Sequence, residues 1–229
     1  MLEKVKTIAF DADDTLWVNE PLFRRAEEEF CELMVDYLDM EVCAKKLFEF
    51  EMQNLPLYGY GIKPFALSLV EAAISLSEGR VGNDTISKII AIGKAMLNAP
   101  VVVLNGVEEV LGTLSQKHNY RLVVATKGDL LDQERKLEKS GLAKYFHHIE
   151  VMSDKQPVNY QKLVNHLDIK ASEFLMIGNS VKSDVLPVLD IGGYAFHIPF
   201  HTTWEHEFVS EPVIHEKFKE LTSITDILD

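Results

Sequence analysis

Hydrophobic and polar positions follow two different rhythms along this chain. Val5 to Phe10 is a short apolar run that reads as a buried strand. From Leu22 to about Asn98 the rhythm is helical. Phe23, Ala26, Phe30, Leu33, Met34 and Tyr37 keep i, i+3, i+4 steps, and Val42 to Phe50 continues the pattern. Asn19 reads as a helix N-cap with Pro21 in the first turn, and Pro56, Gly59 and Gly61 interrupt the pattern. Further helices are expected over Pro64 to Leu76 and Asp84 to Leu97.

After Asn105-Gly106, short apolar runs alternate with helical stretches. Strands are expected at Arg121 to Ala125, Phe146 to Met152, Phe174 to Ile177 and Gly193 to Ile198. Helices are expected at Val107 to Lys117, Leu130 to Lys139, Tyr160 to Leu167 and Asp184 to Leu189, with a polar turn at Thr126-Lys127-Gly128. Strands separated by single helices predict an α/β fold with a doubly wound parallel sheet. The plan is an α/β core of residues 1–18 and 103–229 with an all-helical insert, residues 19–102.

The ends of these strands carry polar clusters: Asp11 and Asp13, then Thr126 and Lys127, then Lys155, then Asn179 and Asp184. One such cluster is ordinary turn chemistry. In a parallel sheet all four converge on one edge, where open α/β sheets bind ligands. Carboxylates at the end of a buried strand are costly without a cation or a reaction to serve.

The order of these clusters resembles the haloacid dehalogenase superfamily over essentially the whole chain. Its first motif, an apolar strand followed by Asp-x-Asp-x-Thr, stands here as Asp11-Ala12-Asp13-Asp14-Thr15. Thr126 matches the second motif, and Lys155-Gln156-Pro157 the third. Gly178-Asn179-Ser180-Val181-Lys182-Ser183-Asp184 matches the fourth, with Asn179 where most members carry Asp. The helical insert resembles the superfamily's small helical cap.

Phosphoryl transfer needs a nucleophile, neutralisation of the phosphoryl oxygens and a proton for the leaving group. Asp11 suits the nucleophile, forming an aspartyl-phosphate. Asp13 suits the acid that protonates the leaving oxygen and then takes a proton from water. An ionised Asp11 would raise the pKa of Asp13, whereas a bound cation would lower it. Carboxylates without a thiolate or imidazole cluster point to Mg²⁺. The resemblance implies that Asp11, the backbone carbonyl of Asp13 and Asp184 hold it. Asn179 offers an uncharged carbonyl in place of a carboxylate. The resemblance further implies that Thr126 binds a phosphoryl oxygen, with Lys127 and Gly128 beside it, and that Lys155 neutralises the nucleophile. Dehalogenases of the superfamily lack an acid at the position of Asp13, which favours a phosphatase. The alternatives are a phosphotransferase or mutase of the same family, and a catalytically weakened binding or regulatory protein, for which Asn179 is the support.

Composition narrows the partners. Of 229 residues 47% are hydrophobic, enough for one sizeable core with a smaller module, and the net charge of −13 repels nucleic-acid polymers and anionic membranes. A small phosphorylated metabolite is the expected substrate, because a local site can be positive on a negative protein. Cys31 and Cys43 have no metal or redox spacing and read as reduced structural thiols. No signal-peptide core fits before Asp11 and no apolar run spans a bilayer, so a cytoplasmic location is expected. In the insert, Tyr58, Tyr60 and Lys63 flank glycines and are candidates for substrate contact in a lid. The run His197, His201, Trp204, Glu205, His206 is read as structural or rim-forming, because His201 and His206 lack the i, i+4 spacing of a zinc pair.

Overall fold

The computed structural model describes residues 4–117 and 120–228. In chain order its main elements are β1 (Thr7–Phe10), α1 (Glu20–Leu33), α2 (Met40–Tyr58), α3 (Ile62–Leu76), α4 (Asn83–Asn98), α5 (Val107–Gln116), β2 (Arg121–Lys127), α6 (Leu130–Lys139), β3 (His148–Met152), α7 (Pro157–His166), β4 (Phe174–Gly178), α8 (Leu186–Asp190), β5 (Tyr194–His197) and β6 (Phe218–Glu220). They form two compact units, Met1–Glu20 with Val101–Asp229, and Pro21–Pro100.

The first unit is a six-stranded sheet in the order β3-β2-β1-β4-β5-β6, parallel throughout. Every residue of β1 and β4 is buried, as continuous apolar strands covered on both faces must be. Ile8 and Phe10 point into one core layer with Val110, Leu111 and Leu114 of α5. Ala9 points into the other, with Tyr160, Leu163 and Val164 of α7. The chain builds β2 and β3 on one side of β1, and β4, β5 and β6 on the other. The crevice where such a sheet reverses direction lies outside the carboxyl ends of β1 and β4.

Three elements differ from their sequence expectation. Thr126 and Lys127 belong to β2 and not to a turn, because the ladder with β3 continues as Thr126↔Val151 and Lys127↔Met152. The edge strand β6 was not expected, since Phe-Lys-Glu is short and mostly polar. Helix α2 runs through Pro56, which forfeits one donor near the helix end, and Gly59 N–H closes the last turn on the Leu55 carbonyl at 2.9 Å. The start of α1 also has an unexpected cap. Asp14 accepts the N–H groups of Asn19 at 2.8 Å and of Glu20 at 2.9 Å, while the Asn19 side chain accepts from Lys136.

The second unit packs its own core from Phe30, Leu47, Leu69, Ile89 and their neighbours, with the thiols of Cys31 and Cys43 both free and buried. No helix among the described residues is long and apolar enough to cross a membrane. Within this unit α3 and α4 approach closely at Gly93, where an added Cβ would lie 2.7 Å from the Cβ of Ala66. Gly93→Ala is therefore expected to destabilise the protein by about 1–3 kcal/mol through overpacking. Adding Ala66→Gly should restore most of the loss, less the ~1 kcal/mol that a helical glycine costs. Urea unfolding of the single and double variants checks this; an unchanged single variant would mean the helices separate freely.

Candidate active site

Asp11 directly follows β1, and its N–H donates to the Ile177 carbonyl of β4 at 2.9 Å, extending the ladder by one step. The register Phe10↔Val124 and Phe10↔Ile177 sets Asp11 level with Ala125 and Gly178. The chain then curls around the Ala12 carbonyl, which accepts from Leu16 N–H at 2.8 Å and from Thr15 and Trp17 N–H at 3.3 Å. Asp14 completes the curl in the left-handed region, at φ 61°. This tight turn sends Asp11 and Asp13 towards different neighbours.

Asp11 faces Lys155 and Asp184. The Lys155 ammonium, on a residue only 2% exposed, donates to Asp11 Oδ1 and, at 2.6 Å, to Asp184 Oδ1. Burial opposes the lysine charge, yet the two carboxylates outweigh it and hold the ammonium above its usual range. Burial pushes the Asp11 carboxyl up, to about 7, with Lys155 pulling it down and Asp184 adding to the rise. Asp184 lies in the π-helical turn Val181–Val185 that follows β4, and its Oδ2 accepts the N–H of the capping Ser180 at 3.0 Å. Gly178 is required here, because a Cβ at that position would meet the same oxygen at 2.2 Å. Tyr160 on α7 donates to the Ser183 carbonyl at 3.0 Å behind this turn.

Asp13 has a separate set of partners. Its carboxylate accepts from the Trp17 indole at 2.7 Å, and from Gln133 and Lys136 of α6 at 2.9 Å each. Thr15 donates to Asp11 Oδ2 at 3.2 Å. With its amide oriented to suit its neighbours, Asn179 donates to the Asp13 carbonyl and Asp11 Oδ2 at 3.3 Å each, and to Thr15 at 3.2 Å. Asn179 thus touches two of the oxygens expected to hold a cation. Serving as a ligand through its own carbonyl would need the opposite amide orientation.

Thr126 is 1% exposed, and its hydroxyl donates to the Lys127 carbonyl at 3.2 Å. Lys127, expected beside a phosphoryl group, donates to Ser183 at 2.9 Å and to Glu207 at 2.5 Å. Gly128 sits in the turn into α6 at φ 122°, a conformation that favours glycine. Tyr58, at the end of α2, donates to Glu71 at 2.6 Å; Tyr60 is half-buried, and Lys63 is exposed at the start of α3. Of the histidine run, His197 contacts the Asn179 carbonyl at 3.0 Å and His206 contacts Lys182. Among the described residues, none of these histidines joins a group of three potential metal ligands.

Glu207 was missed by sequence reasoning. Burial works against its charge, but Lys127 and the hydroxyls of Ser180 and Ser183 hold the carboxyl down at about 2. It lies in an irregular segment with no periodicity to mark it. Gln133 and Lys136 were missed too, although their i, i+3 spacing on the helix that follows Thr126 was a usable signal.

The donors expected to hold a metal are two carboxylates (Asp11 and Asp184) and one backbone carbonyl (Asp13), with no sulfur or imidazole among them. That all-oxygen set fits a hard divalent cation such as Mg²⁺.

A family model for haloacid dehalogenase-like hydrolases matches residues 5–192. Among solved structures, a haloacid dehalogenase-like family hydrolase from Xanthomonas campestris is 40% identical with a TM-score of 0.84, over 96% of this chain and 87% of that one. A 2-haloacid dehalogenase from Pseudomonas syringae pv. Tomato DC3000 shares the fold at 19% identity and a TM-score of 0.60, over 88% of this chain and 90% of its own. A glyceraldehyde 3-phosphate phosphatase from Methanopyrus kandleri is 22% identical over 190 residues, 79% of this chain and 78% of its own.

The buried carboxyls set a pH dependence for the metal-free protein. Burial raises Asp14 to about 7, with Asp13 adding to the rise and the N–H groups of Asn19 and Glu20 opposing it. For Asp11 and Asp14 the folded pKa of about 7 lies above the unfolded value near 3.9, so the folded state binds more protons below pH 7. Stability should therefore rise as pH falls from 8 to 6.5. His206, held low by burial, works in the opposite direction as pH falls through 6.5, which sets the lower limit of the window. Urea midpoints at the two pH values test this. Asp14→Asn should flatten the slope; a midpoint that falls towards pH 6.5 would contradict the assignment.

Proposed function

The chain belongs to the haloacid dehalogenase-like hydrolases, and within that family we propose that it is a Mg²⁺-dependent phosphomonoesterase acting on a small phosphorylated metabolite. One observation carries this reading. Asp11 is bound to a buried lysine, while Asp13, two residues on, is held separately by Trp17, Gln133 and Lys136. Two carboxylates with different partners suit a nucleophile and a proton donor. The sequence similarity to a phosphatase supports the same reading. The Pseudomonas dehalogenase shares the fold, which sets no reaction type.

In this reading an Asp11 oxygen attacks phosphorus, forming the aspartyl-phosphate as the ester P–O bond breaks. Asp13 gives its proton to the leaving oxygen, so the product departs as an alcohol. In the second half, Asp13 takes a proton from the water that attacks the aspartyl-phosphate, and inorganic phosphate leaves. The Thr126 hydroxyl turns to a phosphoryl oxygen, and Lys155 favours the ionised form of Asp11 against the effect of burial. Asp11, the Asp13 carbonyl and Asp184 would hold Mg²⁺, which supplies charge neutralisation to the phosphoryl group.

Phosphate release from a panel of sugar, nucleotide and aryl phosphates is expected to require Mg²⁺, and Asp11→Asn should abolish it. Turnover that survives in Asp11→Asn would remove Asp11 as nucleophile. Asp13→Asn should lower turnover of alkyl phosphates by about 10²–10⁴-fold, as loss of a general acid does. Its effect on p-nitrophenyl phosphate, whose leaving group needs no proton, should be much smaller. Equal losses on both substrates would show that Asp13 does not protonate the leaving group.

A further inference from the structure

We propose that His148, Glu150 and His166 form a second cation site, of nitrogen and oxygen donors, that takes a zinc-like divalent ion. Topology brings the three together. β3 begins at His148 and ends at Met152, close in sequence to Lys155 and the carboxyl edge of the sheet. α7 starts just after Lys155 and runs back, so its last residue, His166, returns to the start of β3. His148 and Glu150 are i, i+2 on a strand and share a face with Met152, which packs in the same core layer as Tyr160 and Leu163 of α7. The site lies on the edge strand β3, two strands to the side of β1, with His148 in register with Val123 and Glu150 with Ala125.

The geometry is that of a partial coordination sphere. His148 Nε2 is 2.9 Å from Glu150 Oε2, and His166 Nδ1 is 3.6 Å from the same oxygen. The two rings meet edge-on with centroids 5.1 Å apart. One donor atom from each residue lies within 4.8 Å of the other two, the one such group of three among the described residues. Tetrahedral zinc, with bonds of about 2.0–2.1 Å, separates its ligand atoms by about 3.4 Å. The two spacings to Glu150 Oε2 bracket that value, and the two imidazole donors lie within 4.8 Å of each other.

The His166 side chain is 64% exposed and the other two are about half as exposed, which leaves an entry path and a fourth position for water. A histidine that exposed gains little from a lone carboxylate 3.6 Å away. Coordination gives the three-residue arrangement a stronger reason. Two imidazoles and one carboxylate select zinc, nickel or cobalt over Mg²⁺, so this site and the strand-end oxygens would sort cations by chemistry. A bound ion would tie the edge strand to α7 and stabilise the folded state by mass action.

The test is calorimetric titration of ZnCl₂ into the full-length metal-free protein, with Mg²⁺ in excess to compete at the strand-end oxygens. One zinc site is expected. His148→Ala, Glu150→Gln and His166→Ala should each weaken it by at least the roughly tenfold that losing even an outer-shell partner costs. Zinc should raise the thermal midpoint of the unsubstituted protein but not of the His148→Ala/His166→Ala double variant. Equal midpoints without zinc would show that the double variant is folded. Asp11→Asn should leave the zinc site intact. No zinc uptake, or uptake that persists in the double variant and disappears in Asp11→Asn, would overturn the proposal and leave the strand-end reading untouched.

Discussion

The buried ammonium of Lys155 is the constraint around which the α/β unit is organised. The parallel sheet delivers Asp11 at the end of β1 and Asp184 just past β4, both with little access to water. Two desolvated carboxylates this close could not both remain ionised without a cation between them. Lys155 arrives from beyond β3, which β2 and β1 separate from β4 in the sheet, and donates to both. Much of the local architecture serves that bridge. Gly178 leaves room for Asp184, Ser180 at the start of the π-helical turn offers its N–H, and Tyr160 closes the back. Removing one member of such a buried set typically costs about 3–5 kcal/mol, because the remaining charges are left uncompensated.

The second consequence is a division of labour between neighbouring acids. A turn wound on the Ala12 carbonyl, with Asp14 in the left-handed region, lets Asp11 look into the sheet edge and Asp13 look towards α6. Asp14 also ties this turn to the first N–H groups of α1, where a carboxylate at a helix N-terminus is favoured. Three successive acids in sequence positions 11, 13 and 14 therefore have three environments: a lysine bridge, an indole–amide–ammonium clamp, and a helix cap.

Most of this was legible in the sequence wherever a residue sat next to a strong periodic signal. The apolar runs marked five of the strands, and Asp11, Thr126, Lys155 and Asp184 were singled out because each lies just past an expected strand. What escaped was set by tertiary contact. β6 is three residues of mixed polarity whose strand character comes only from pairing with β5. Thr126 and Lys127 looked like a turn because polar residues usually end strands, but the neighbouring ladder keeps them in β2. Glu207 comes from a segment without periodicity, and its importance appears only when Lys127, Ser180 and Ser183 surround it. The helix-capping role of Asp14 depends on a path the local sequence does not encode.

The charge balance at the sheet edge bears directly on how an anionic substrate could be held. Lys155 is committed to Asp11 and Asp184, Lys136 bonds Asp13, and Lys127 bonds Glu207. With all four carboxylates ionised, three ammonium groups meet four carboxylates, one negative charge in excess, before Asp14 or Asp132 is counted. A phosphoryl dianion entering that field would be repelled, and the protein's overall charge of −13 adds to the repulsion at long range. Backbone N–H groups and the Thr126 hydroxyl bring dipoles but no net charge. In that ionised state, one divalent cation on the oxygens of Asp11, Asp13 and Asp184, as proposed, would turn the balance from −1 to +1. The pairing of these lysines thus supports the proposed cation dependence by an argument separate from family likeness.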